Sequence, residues 1–134
     1  MVYRVPDFQQ KFSLGSHSIH LLWDINAIRR ELPNLNPCIQ QYSTKQLIVN
    51  NPSNINVEYA MTTDISVPGI IIELEPKRLK LIDGNHRLYK ANALGIEKFE
   101  CYYLPFEDQI KFIEDFSMED YNRMLDKIKE HEST

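Results

Sequence analysis

The spacing of apolar positions changes along the chain, and each change marks an element. Ser18-Ile19-His20-Leu21-Leu22-Trp23 reads as a short buried strand. Asp24 follows as a helix cap, and the spacing predicts a helix over roughly 25–32. Pro33 is expected to close it, because proline disfavours helical backbone in the residue before it. Between Pro37 and Ser43, Cys38-Ile39-Gln40-Gln41-Tyr42 predicts a second short strand, and Ser43 is placed to cap one or two helical turns through Ile48. Asn50-Asn51-Pro52-Ser53-Asn54 is loop by composition. Residues 56–64 fit either helix or strand, with helix preferred.

The middle of the chain is more regular. Gly69-Ile70-Ile71-Ile72-Glu73-Leu74 is a β-branched run, Glu75-Pro76-Lys77-Arg78 is turn chemistry, and Leu79-Lys80-Leu81-Ile82 alternates. Together they predict a hairpin. Asp83-Gly84 breaks the second strand, and Asn85 to Leu94 predict a helix stopped by Gly95, where positive φ is wanted. Phe99 to Leu104 predict a third strand, ended by Pro105. Two helices follow. Phe106, Ile110 and Ile113, widened by Phe112 and Phe116, make the first apolar stripe. Met118, Tyr121, Met124, Leu125 and Ile128, behind a Ser117 cap, make the second. The order is that of an α+β protein.

Composition narrows the class. The 134 residues suffice for one domain, 1–134, with a core that needs no disulfide or metal; 64–104 form its centre and 105–134 a helical extension. A net charge of −4 argues against attachment to nucleic acid or membrane by bulk charge. No apolar run reaches the length of a bilayer span, and Met1-Val2-Tyr3-Arg4-Val5-Pro6-Asp7 lacks the pattern of a signal peptide. Cys38 and Cys101 have no CxxC spacing and are expected as reduced thiols, so a cytoplasmic location is expected. His17 and His20 have no further ligand at supporting spacing, so no metal site is expected. The acid surplus lies after Pro105, on Glu107, Asp108, Glu119, Asp126 and their neighbours. That face is a solvated surface or a docking surface for a basic protein partner.

The chemistry concentrates where strand meets helix, at Asp83-Gly84-Asn85-His86-Arg87. A helix N-terminus carries unsatisfied N–H groups and the positive end of the dipole, and a glycine there lets a ligand or another backbone come close. Cationic side chains in that first turn, His86 and Arg87, are unfavourable by a few tenths to about 1 kcal/mol each when exposed. A phosphate would offset that, meeting the N–H groups, the guanidinium and the imidazole together. Asp83 would orient Arg87 or His86, or hold a magnesium ion bridging phosphates, and Lys90 lies one turn further on. The alternative is purely structural: Asp83 caps the helix, Arg87 pairs with it, and His86 packs under the sheet. Helix physics leaves both open.

These residues resemble the signature of the ParB/sulfiredoxin-like superfamily. Its members share a strand, a turn with a Gly-x-His-Arg or Gly-x-x-Arg element, a helix ending in glycine about a dozen positions later, and a strand. Gly84-Asn85-His86-Arg87 and Gly95 keep that spacing, behind an Ile82-Asp83 lead-in. Asp64-Ile65-Ser66-Val67-Pro68-Gly69 resembles the segment before the hairpin, so the match covers about 64–104. The resemblance implies a ParB/sulfiredoxin-like small mixed sheet with packed helices. It also implies a nucleotide- or phosphate-binding site with Gly84, Asn85, His86, Arg87 and Lys90 as binding residues and Asp83, His86 and Arg87 as the catalytic set. A nucleoside triphosphate with Mg2+ is the cofactor it implies, and NTP hydrolysis or phosphotransfer the chemistry.

The departures from that pattern are specific. Sulfiredoxins place a catalytic cysteine where this chain has Asn85, which argues against sulfinic-acid reduction. The acidic residues after Pro105 lack the second nucleotide-contacting motif of chromosome-partition ParB proteins, which argues against centromere binding and a CTP clamp. Free-serine kinases of the superfamily carry a similar turn and take a catalytic acid from the front half, where Asp24, Glu31 and Asp64 are the candidates. Two other functions stay open: an adaptor that kept the fold and lost the chemistry, and a nucleic-acid-binding or nuclease-like protein using Arg29, Arg30, Lys77, Arg78, Lys80 and Lys98, against which the acidic balance argues.

Overall fold

The β-branched run becomes the strand that holds the sheet together. In the computed structural model, which describes residues 8–14 and 17–132, contacts divide the chain into two units. Leu35–Phe106 is continuous, and the other unit is formed by the residues before and after it. The continuous unit contains strands β3 (Ile39–Ser43), β4 (Gly69–Glu75), β5 (Arg78–Asp83) and β6 (Lys98–Leu104). Its helices are α2 (Thr44–Asn50), α3 (Val57–Met61) and α4 (Asn85–Ala93). The sheet order is β3-β6-β4-β5. β4 pairs antiparallel with β5 across the turn at Pro76-Lys77, where Lys77 takes φ 70°. It pairs parallel with β6, from Gly69↔Cys101 to Ile72↔Leu104, after a crossover through α4. The α+β class and the small mixed sheet are as expected.

One face of this sheet packs on the helices. Ile71, Leu81, Phe99 and Cys101 meet Leu47 of α2 and Leu88 and Ala91 of α4 in one buried cluster. Ile70, Ile72 and Leu104 are fully buried as well, which explains why β4 reads as a continuous apolar run without alternation. Local chemistry sets the helix starts: Ser43 Oγ accepts from the Gln46 amide (3.2 Å) and Asn56 Oδ1 from the Tyr59 amide (3.0 Å).

Tyr42 stands at the rim of this cluster, and its phenol pKa is pushed up to about 12. Burial is the main cause, and Cys101 and Tyr103, whose ionised forms would repel a phenolate, add to it. A raised phenol pKa favours the folded state below the ordinary value of 10.0, and the benefit is lost as pH rises through about 12. Alkaline denaturation should therefore be less steep in Tyr42→Phe than in wild type across that window. Identical alkaline profiles would show that Tyr42 ionises like an exposed phenol.

The discontinuous unit contains β1 (Phe8–Leu14), β2 (His17–Trp23), most of α1 (Ile25–Leu35), most of α5 (Phe106–Gln109), a 3-10 turn at Ile110–Phe112, and α6 (Met118–Glu132). β1 and β2 pair antiparallel from Phe8↔Trp23 to Leu14↔His17. Its apolar core, with Ile25, Ile28 and Ile113 among the buried residues, encloses one chain of side-chain hydrogen bonds. Buried Trp23 donates its indole N–H to Gln109 Oε1 (2.7 Å), and Gln109 Nε2 donates to the Tyr121 hydroxyl (2.8 Å). Along α6, Tyr121, Met124 and Leu125 are buried, while Glu119 pairs with Arg123 on the exposed side.

Two boundaries differ from the sequence reading. α1 starts as expected, with Asp24 Oδ1 accepting from the Ala27 amide (3.0 Å), but it runs through Pro33 to Leu35. A proline this close to the end removes few helical hydrogen bonds. The stop is Asn36, left-handed at φ 46° with Pro37 after it. The first tail helix is also shorter than its apolar stripe. Ile113 is extended and bridges Trp23, with the Asp24 amide donating to Phe112 O and the Glu114 amide to Leu22 O, both at 2.9 Å. The chain leaves the helix because β2 offers those partners.

No helix among the described residues is long and apolar enough to cross a membrane. Met1–Asp7 and the side chains of His17, His20 and His131 lie outside what is described.

Candidate functional site

The turn between β5 and α4 is built around two glycines of the same unit. Gly84 sits at φ 107°, and a Cβ there would lie 3.0 Å from the Gly69 Cα and 3.2 Å from Arg87 Nη2. The chain's own backbone makes a close approach at Gly84. Gly84 is also the N-cap residue of α4, so no side chain caps the helix, and the first intrahelical bond is Leu88 N to Gly84 O (2.8 Å). Asp83 therefore does not act as the cap.

The predicted site residues gather at this end of α4 but point in several directions. Arg87 Nη2 lies 3.8 Å from Asp83 Oδ2 and donates to the Pro68 carbonyl (3.3 Å). Lys90 Nζ donates to the Thr63 carbonyl (2.7 Å). His86 does not pack under the sheet. Its ring meets Tyr59 of α3 edge-on, with centroids 4.9 Å apart, and Nε2 accepts from the Asn56 amide (3.4 Å). Three of the four charged or titratable side chains thus bind the segment 56–68 to α4, and the fourth, Asp83, holds Arg87. Asn85 lines the space on the other side of this end of α4.

That space is a groove of about 400 Å³ along α4, lined by Asn51, Ser53, Ile55, Val57, Asn85 and Tyr89 among others. Its floor is fixed by buried Asn51, whose Nδ2 donates to Leu47 O (2.9 Å) and whose Oδ1 accepts from the Leu81 amide (3.0 Å). Sequence reading placed 50–54 in a loop without a role. The available signal was its density of Asn, Pro and Ser, residues that hold irregular backbone in place at binding loops.

Of the three candidate acids, only Asp64 belongs to this unit. The Ser66 hydroxyl (2.6 Å) and amide (3.0 Å) hold its carboxyl below the usual carboxylate range, and the charges of Lys90 and Arg87 add to the effect. A carboxylate so stabilised is a weak base. Asp24 caps α1, and exposed Glu31 accepts from Asn34 Nδ2 (3.1 Å). Among the described residues no three of His, Cys, Asp and Glu gather to hold a metal, and Asp83 is engaged by Arg87. A protein-held magnesium does not fit this donor set, so the ion would have to arrive on the phosphates.

No family model matches the sequence, and no curated protein or solved structure matches it.

Proposed function

We propose that the unit Leu35–Phe106 binds a phosphate-bearing small molecule, a nucleotide being the best-fitting class, at the N-terminal turn of α4. The observation that carries this reading is a helix start with no side-chain cap that opens beside a groove large enough for a small ligand. The phosphate would meet first-turn N–H groups and the Asn85 amide. The apolar part would lie along Ile55, Val57 and Tyr89. Arg87 and Lys90 act from behind, as positive charges that also secure the 62–68 segment to α4. The resemblance of Asp83-Gly84-Asn85-His86-Arg87 to the ParB/sulfiredoxin-like turn supports the same ligand class. Hydrolysis or transfer would then rest on positioning and charge rather than on His86, whose acceptor nitrogen is already engaged.

Thermal unfolding of the full chain with ATP, CTP or GTP, with and without magnesium, tests the reading. A ligand present at a hundredfold its Kd stabilises by about 2.7 kcal/mol. Asn85→Asp is the decisive variant. A carboxylate in the first turn suits the helix dipole, so the unliganded midpoint should hold or rise. The same charge should abolish the shift caused by an anion. No shift with any millimolar nucleotide, or an equal shift in Asn85→Asp, would refute the site.

A further inference from the structure

The groove beside the start of α4 has little with which to read the edge of a ligand. Asn51, the buried polar side chain on its lining, is spent inside the protein, with Nδ2 on Leu47 O and Oδ1 on the Leu81 amide. Next to it Ile48, Ile55 and Leu88 offer no hydrogen bond. Ser53 lies on the exposed rim, where a contact to a ligand only replaces one to water. Its hydroxyl and that of Tyr89 rotate to donate or to accept, so neither tells a donor from an acceptor.

What the groove does offer is flat and apolar. Half-buried Tyr89 follows Asn85 by four residues on the same face of α4, a rise of about 6 Å along the axis, and both line the groove. A phosphate held at Asn85 therefore leaves the span of a sugar before the next group meets the Tyr89 ring. Across the groove Val57 is 51% exposed, so a flat occupant there takes apolar surface out of water.

We propose that the groove grips the base of a nucleotide by its faces, against Tyr89, and leaves its edges unread, so that the site takes nucleoside triphosphates of any base. The inference rests on the phosphate reading of the α4 turn and adds what fills the groove beside it. Tyr89 is the residue that sets nucleotide above bare phosphate. A site built to hydrogen-bond one base's edge rejects the others by orders of magnitude, because its own polar groups are then left unpaired. Here the buried polar group is already paired within the protein, and no such penalty arises. Stacking supplies the affinity and tolerates every base, since each presents a π-face.

Calorimetric titration of the full chain, in magnesium, with ATP, GTP, CTP, UTP and inorganic tripolyphosphate tests this. The four nucleotides should bind within about tenfold of one another, and each more tightly than tripolyphosphate. Tyr89→Ala should weaken all four by about tenfold and leave tripolyphosphate unaffected, whereas Tyr89→Phe should bind both as wild type does. A preference for one base beyond about tenfold would show that edges are read. Nucleotides that bind no better than tripolyphosphate, or that bind Tyr89→Ala as they bind wild type, would show that the ring holds no base. Each of these results overturns the inference and leaves the phosphate site standing. Failure of tripolyphosphate and nucleotides alike to bind overturns both.

Discussion

Gly84→Ala should lose far more stability than Gly95→Ala, although both glycines have positive φ, 107° and 77°. A left-handed backbone costs a non-glycine residue about 1–3 kcal/mol at either place. At Gly95 nothing lies within 4 Å of the added carbon, so that is the whole effect. At Gly84 the new Cβ would sit 3.0 Å from the Gly69 Cα, which is main chain and cannot swing aside. Overpacking of this kind adds about 1–3 kcal/mol. Gly69 has little room to yield, since its own Cβ position is 2.8 Å from the Asp83 carbonyl. Urea denaturation of the two variants checks the difference. Equal losses would mean that the two glycines do not pack as described.

Trp23→Ala should be the most damaging change in the discontinuous unit. Trp23 is fully buried, and removing such a side chain costs about 3–5 kcal/mol. The change also leaves Gln109 Oε1 without the indole N–H inside a buried chain of bonds that ends on the Tyr121 hydroxyl. Losing that hydrogen bond adds about 0.5–1.5 kcal/mol. The total reaches the low end of the whole stability of an ordinary domain. Circular dichroism should therefore show loss of helix at temperatures where wild type is folded. A variant within about 1 kcal/mol of wild type would show that Trp23 does not anchor this unit.

What the sequence made legible follows a physical rule: elements declared by local chemistry were readable, and those decided by distant partners were not. Asp24, Ser43 and Gly95 mark helix ends through groups within a few residues, and each occupies the expected place. Pro33 misleads because the stop signal is Asn36, whose left-handed turn no apolar spacing announces. Ile113 misleads because its hydrophobicity fits a helical stripe while its neighbours' hydrogen bonds go to β2, far away in sequence. β1 was not read, since Phe8-Gln9-Gln10-Lys11-Phe12-Ser13-Leu14 has no β-branched residue and takes its order from pairing with β2.

The candidate site divides in the same way. Asp83, Gly84, Asn85, His86, Arg87 and Lys90 stand close in sequence, so their convergence on one helix end was legible. The groups they meet were not. Thr63 and Pro68 contribute carbonyls and Asn56 an amide, and main-chain groups leave no trace in residue type. The sequence offered Arg87 either a phosphate or Asp83 as its partner and named Lys90 as a binding residue only through the resemblance. The partners the structure gives them are the Pro68 carbonyl and Asp83 for Arg87 and the Thr63 carbonyl for Lys90. Asn85, beside a groove whose far wall comes from the 51–57 segment, moves to the centre of the proposal.

The most direct test of that proposal is an amide NMR titration of the labelled full chain with nucleoside triphosphate. Saturable shifts should map to the amides of Asn85, His86 and Arg87 and to Ser53, Ile55 and Tyr89 along the groove, and should vanish in Asn85→Asp. Spectra unchanged at millimolar nucleotide, or shifts confined to surfaces away from the start of α4, would contradict it.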